Sequence, residues 1–282
     1  MIIYEDENVK LTIVNGGNFR LDGGAMFGVV PKVMWEKLIE VNEKNQIPMA
    51  TNSLLITFKN DRRNILIDTG NGDKYTEKER KIYDFEKRTI TDALREVGVA
   101  PEDITDVVLT HLHFDHTGGS TILKNGEAVP TFPNATYYIH TDQWEHALNP
   151  NERDRASYLS WNYLPLMENG LVTLLEGETE IADGVVVIPT EGHTPGHQSV
   201  LITTRSGKKF FYAGDLIPTS RHIPLPYIMS YDLYPVTTLK VKKDILLQAI
   251  DEDWTIIFEH DYDTPVGKVE LNEKGKFQLR RI

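Results

Sequence analysis

Apolar residues fall in short runs bounded by Gly, Asn, Asp and Pro, with no repeat and no low-complexity tract. Residues 9–14 alternate and then meet Asn15-Gly16-Gly17, which predicts a strand followed by a turn. Residues 53–58 and 64–67 flank Lys59-Asn60-Asp61-Arg62 and predict a hairpin. Residues 91–97 read as a helix with Thr91 as N-cap and Gly98 as the stop. Residues 106–110 are so apolar and β-branched that they predict a buried strand. Further strands are expected at 136–140, 171–175, 185–188, 198–204, 209–212 and 255–258, and helices at 141–148, 154–167 and 236–250. Interleaved strands and helices with several hairpins exclude a pure doubly wound pattern. They fit two sheets packed face to face with helices outside. Residues 21–50 show no clear strand, and a loop of that length in a compact domain is expected to be a lid or binding loop.

Composition narrows the class. A chain of 282 residues with 40% hydrophobic content can bury a large core, as one large domain or two ordinary ones. We expect a single domain over 1–282. The formal net charge of -12 repels phosphate backbones, so nucleic acid is not the expected partner. There is no cysteine, which removes disulfides, thiolate nucleophiles and cysteine metal ligands. The start, Met1-Ile2-Ile3-Tyr4-Glu5-Asp6-Glu7, lacks the basic and apolar regions of a signal peptide, and no apolar stretch matches a bilayer. The expectation is a cytoplasmic protein with no membrane partner.

The chemistry lies directly after the predicted buried strand, in Thr110-His111-Leu112-His113-Phe114-Asp115-His116-Thr117-Gly118-Gly119. In an extended segment alternate side chains share a side, so His111, His113 and Asp115 can converge, and a turn can bring in His116. Imidazole and carboxylate are the ligands that first-row divalent metals accept. Three more buried strands run into such residues. One ends near Glu191-Gly192-His193, one at Gly214-Asp215 and one at Glu259-His260-Asp261. Polar ligand types at several strand ends point to one shared rim.

These residues resemble the metallo-β-lactamase superfamily of binuclear metallohydrolases, whose His-x-His-x-Asp-His motif matches His111, His113, Asp115 and His116. The resemblance runs from the Asp68-Thr69-Gly70 turn to His260 and implies an α+β fold, a four-layer αββα sandwich. It implies that His111, His113 and His193 hold one divalent metal, that Asp115, His116 and His260 hold a second, and that Asp215 bridges them. Zinc is the expected metal, with Mn, Fe, Co and Ni also compatible with these ligands. Asp68 is expected to orient a ligand histidine from behind, and His197 to support the site in the same way. A hydroxide shared by the two metals would attack an ester-type carbonyl, with Asp115 and Asp215 in the catalytic centre.

Absences narrow the branch. Redox diiron members of the superfamily carry Glu where this chain has His113, and several true β-lactamases use a cysteine ligand. A small-molecule hydrolase remains. Residues 21–35, with Gly23-Gly24-Ala25-Met26-Phe27-Gly28, and the run Gly214-Asp215-Leu216-Ile217-Pro218-Thr219 resemble a lactonase-like branch near the quorum-quenching N-acyl-homoserine-lactone lactonases. Met26, Phe27, Val30 and Trp35 are then expected to form an apolar wall for the substrate. That branch places a Tyr where this chain has Pro218. We therefore look to His222 as proton donor, ahead of Tyr227, Tyr231 and Tyr234. An exposed apolar lid would suit a homodimer. The competing readings are a phosphotriesterase or other esterase on the same scaffold and, more remotely, a binding module without metals.

Overall fold

The computed structural model describes all 282 residues. The chain divides into two compact units, one of residues 1–18 and 50–176 and one of residues 19–49 and 177–282.

The first unit holds most of one seven-stranded sheet, residues 19–22 and 46–49 of its second and third strands being counted with the other unit. Its strands are β1 (Ile2–Glu5), β2 (Val9–Asp22), β3 (Gln46–Phe58), β4 (Asn64–Ile67) and β5 (Asp106–Val108), with β6 (Thr121–Lys124) and β7 (Glu127–Pro130) set apart as a small hairpin. The strands β8 (Thr136–His140) and β9 (Val172–Leu175) complete the order β1-β2-β3-β4-β5-β8-β9. The pairing is antiparallel from β3 to β4 and parallel from β4 through β5 and β8 to β9. Every residue of β5 is buried: Val107 and Val108 as apolar residues, and Asp106 with its carboxylate paired to Arg63. Leu55, Leu66, Val107, Leu109 and Tyr137 pack with Ile90 and Leu94 of the helix Ile90–Glu96.

The second unit carries the other sheet. It consists of β10 (Thr179–Ala182), β11 (Val185–Pro189), β12 (Gln198–Thr203), β13 (Lys209–Tyr212), β14 (Thr255–Ile257), β15 (Val266–Leu271) and β16 (Phe277–Arg280), in that order. All neighbours are antiparallel except β13 and β14, which are parallel. It follows that β11, β13 and β14 all run the same way. The long helix Pro235–Asp251 contributes Ile245, Leu246 and Ala249 to a core with Phe211, Trp254, Ile256 and Phe258. Phe211 stacks on Trp254 with ring centroids 5.4 Å apart. No helix of the structure is long and apolar enough to cross a membrane.

The ten strands expected from the sequence are present, six more that it did not mark (β1, β6, β7, β10, β15 and β16) join them, and four expected details differ. The turn expected at Asn15-Gly16-Gly17 is instead the middle of β2. The Asn15 amide reaches Asn52 on β3 at 3.2 Å, so the polar group that suggested a turn is used across the sheet. The helix expected from 91 starts at Ile90, because Thr89 and not Thr91 forms a capping box with Asp92. The helix expected over 154–167 breaks into two 3-10 turns, Arg155–Ser157 and Ser160–Asn162, and a short helix Leu164–Glu168. Pro165 lacks an N–H and suits the first turn of a new helix rather than the middle of a long one. Residues 21–50 are not a structureless loop. They hold the end of β2, the helices Gly23–Phe27 and Lys32–Trp35, and the start of β3.

Gly118 shows how tightly the turns of the first unit interlock. A Cβ built there would lie 1.7 Å from the Asn71 carbonyl oxygen. Gly118→Ala should therefore cost about 2–4 kcal/mol of stability through forced backbone displacement, read as a lowered urea midpoint with an unchanged m-value.

Candidate metal centre

Each unit presents a half-set of ligand-type side chains beyond the ends of parallel strands. In the first unit, Asp68 follows β4 and the motif His111 to His116 follows β5, its parallel neighbour. Backbone and carboxylate fix these two segments together. Asp68 N–H donates to the Val108 carbonyl at 2.9 Å, and Asp68 takes a positive φ of 57° that turns its side chain back toward the motif. Its carboxylate then accepts from Thr110 N–H at 2.7 Å and from the Thr110 hydroxyl at 2.7 Å. The same Oδ2 lies 3.1 Å from His116 Nδ1. A carboxylate at Nδ1 holds the proton there and leaves Nε2 available as a ligand atom. The orienting role expected of Asp68 has its geometry.

The other motif residues gather around this anchor. His111 Nε2 is 3.0 Å from His113 Nδ1, and the His111 and His116 rings lie 3.9 Å apart. His116 Nε2 is 3.8 Å from Asp115 Oδ1. The short helix Phe114–Thr117 makes the turn that brings Asp115 and His116 round. Leu112 N–H donates to the Gln143 side chain at 3.0 Å, which pins the segment between the first two histidines.

In the second unit, β11, β13 and β14 run in one direction, so their C-terminal ends share an edge of the sheet. His193 follows β11, Asp215 follows β13 and His260 follows β14. Asp215 stands between the two imidazoles. Its Oδ2 is 3.1 Å from His193 Nε2, and its Oδ1 is 3.1 Å from His260 Nε2. His197 supports this turn: its Nε2 accepts the Asp215 N–H at 3.1 Å, and its Nδ1 lies 2.8 Å from the Thr190 hydroxyl. Pro218, where a tyrosine was absent, accepts the His260 N–H at 2.9 Å through its carbonyl. His193 Nδ1 lies 2.8 Å from Asp232 Oδ1, a buried residue that no sequence motif singled out.

The donor set passes a simple fit test. A tetrahedral ion with ligands at about 2.0–2.1 Å spaces them about 3.3 Å apart. The 3.0 Å and 3.1 Å separations within each half-set are close to that spacing. All donors are imidazole or carboxylate, so these groups are able to hold metal ions.

The structure corrects the role assigned to His222. The ring is buried, its Nδ1 faces the Thr219 hydroxyl at 2.8 Å and its Nε2 faces the Met26 carbonyl at 2.9 Å. A carbonyl only accepts, so Nε2 carries the proton and Nδ1 accepts from Thr219. Burial holds its pKa down to about 4. A neutral, enclosed imidazole with both nitrogens committed is a structural element, not a proton donor at neutral pH. The expected substrate wall also needs restating. Met26, Phe27, Val30 and Trp35 are buried, with Phe27 stacked between Trp35 at 5.2 Å and His222 at 4.8 Å. The solvent-facing apolar members of that segment are Val29, Val33 and Met34, at 88%, 65% and 52% exposure.

Comparison with known proteins identifies the family. The family description Metallo-beta-lactamase superfamily matches residues 47–260, and the chain belongs to that family. Its α+β content with two seven-stranded sheets agrees with the fold class expected from the sequence. An N-acyl homoserine lactonase of a Bacillus species is 29% identical over 184 residues, 64% of this chain and 66% of that protein, a little under two thirds of its length. A probable metal-dependent hydrolase from Staphylococcus aureus has 30% identity and a TM-score of 0.88, covering 99% of each chain. AidC, a dizinc quorum-quenching lactonase solved with a product, shares the fold at a TM-score of 0.82, with 22% identity over 100% of this chain and 97% of that one.

The enclosed His222 sets a pH dependence. Its folded pKa lies below the ordinary 6.5, so the unfolded chain binds the extra proton between those values. Stability from this group is complete above about pH 6.5 and is lost as pH falls toward 4. Chemical denaturation should show His222→Gln losing less stability than wild type across that window.

Proposed function

We propose that this protein is a binuclear metal-dependent hydrolase that opens the ring of N-acyl homoserine lactones. The reading unites the two half-sets in one centre. His111, His113 and His193 would hold one divalent ion, Asp115, His116 and His260 the other, and Asp215 would serve both. Zinc suits this nitrogen and oxygen set. The observation that carries the proposal is Asp215, whose two oxygens each face a different histidine at 3.1 Å. A carboxylate divided in that way has the form required of a ligand shared between two ions. Lactonase chemistry is supported by the family and by relatives named N-acyl homoserine lactonase.

Two such ions, once bound, would lower the pKa of a water toward neutrality and polarise the ester carbonyl. The chain's own residues prepare the site. Asp68 holds the Nδ1 proton of His116, and His197 fixes the backbone of Asp215. Pro218 fixes the backbone of His260 and offers no side-chain proton. We assign the acyl chain of the substrate to the apolar segment that exposes Val29, Val33 and Met34, with buried Phe27 and Trp35 as its base.

The test is ring opening by zinc-loaded protein, followed as acid release over short and long acyl chains. We expect kcat/KM for lactones to exceed that for a paraoxon-type phosphotriester. The reverse order would favour the phosphotriesterase reading, and inactivity on all lactones would end the lactonase reading. Asp215→Ala should lower zinc content below two per chain and abolish turnover. Met34→Ser combined with Val33→Ser should raise KM for long-chain lactones about 3–10-fold and leave short-chain substrates little changed, because only long chains bury against those residues.

A further inference from the structure

His193 is a proposed ligand of the second unit whose far nitrogen meets a carboxylate. Asp232 Oδ1 lies 2.8 Å from its Nδ1, and both side chains are buried. The contact spans 39 positions of sequence, so it is built by the fold and not by a local turn. The segment around Asp232 is bound to the same loop by its backbone. Leu233 N–H donates to the His193 carbonyl at 2.9 Å, and Tyr234 N–H donates to the Gly192 carbonyl at 2.8 Å. These bonds fix where the Asp232 carboxylate can reach.

The long helix Pro235–Asp251 begins immediately afterwards and closes on the same loop. Gly192 has a φ of 133°, and a Cβ there would lie 2.4 Å from Thr238 Oγ1 and 2.5 Å from Thr238 N. Only glycine admits the helix at this distance. One turn along, buried Lys242 donates to the carbonyls of His222, Pro224 and Tyr227 at 3.0, 3.3 and 2.8 Å. The lysine therefore ties the stretch that leads to Asp232 onto the helix that abuts His193.

We infer that Asp232 is a positioning residue for His193: it accepts the Nδ1 proton, fixes the ring plane and leaves Nε2 as the ligand atom. It is the second unit's counterpart of Asp68, which does the same for His116. This role rests on the binuclear reading above, because it assigns His193 to a metal. Removing a carboxylate behind a ligand histidine weakens metal binding about 10–100-fold.

The experiment is a zinc titration against a chromophoric chelator, resolving two dissociation constants, on wild type, Asp232→Ala and Asp232→Asn. Asp232→Ala should weaken one zinc about 10–100-fold. Asp232→Asn retains an oxygen acceptor without its charge and should recover part of that loss, which a purely structural role would not produce. Should the alanine variant not fold, the asparagine variant decides, with thermal melting of the metal-free protein as its control. Wild-type affinity at both zinc sites in the folded variants overturns the inference and leaves the binuclear reading intact. A wild-type protein that binds no zinc overturns the binuclear reading itself and this inference with it.

Discussion

Burial of ionisable groups is the constraint on which the rest of this structure depends. Asp68, His111 and His116 are fully shielded from solvent, and an isolated carboxylate or imidazolium in such a place would be strongly disfavoured. The cost is offset only if each polar atom meets a partner at a fixed position. Asp68 meets that demand with two donors from Thr110 and one face toward His116. Its own φ of 57° is an uncommon backbone state, held by the bond from its N–H to the Val108 carbonyl of β5. The strands do more than fill a core: they hold the carboxylate where the imidazole needs it.

Parallel strand order explains why the groups collect where they do. β4 and β5 share a direction in one sheet, as do β11, β13 and β14 in the other. Residues after such strands leave the sheet at the same edge, so distant sequence positions become neighbours without long loops. Flexible connections would have to be ordered when a metal arrived. Rigid strand ends place the donors beforehand, and less affinity is lost to ordering.

Much of this was legible in the sequence. The apolar Val107-Val108-Leu109 before His111 marked a buried strand, and the spacing of His111, His113, Asp115 and His116 marked a cluster of side chains able to hold metal. The branch-specific stretch around Gly23 to Gly28 was legible only in its residue types, since burial of Phe27 and Trp35 depends on packing that no local pattern encodes. His222 was misjudged for the same reason: a histidine after a proline-containing run reads alike whether it faces solvent or the carbonyl of Met26, 196 positions away. Asp232 was missed because an orienting carboxylate needs no fixed spacing from its histidine, only a fold that brings the two together. The break before Pro165 was missed, although a proline there lacks the N–H that a continuing helix needs.

Lys242 grips carbonyl oxygens and not side chains. Three points along the backbone of residues 222–227 are thus held through groups that almost any amino acid supplies. A substitution at exposed Pro226, away from the buried His222 and Ile223, leaves all three of these bonds in place. Such a rivet lets an outward-facing position of the stretch vary while the backbone beneath it keeps its path.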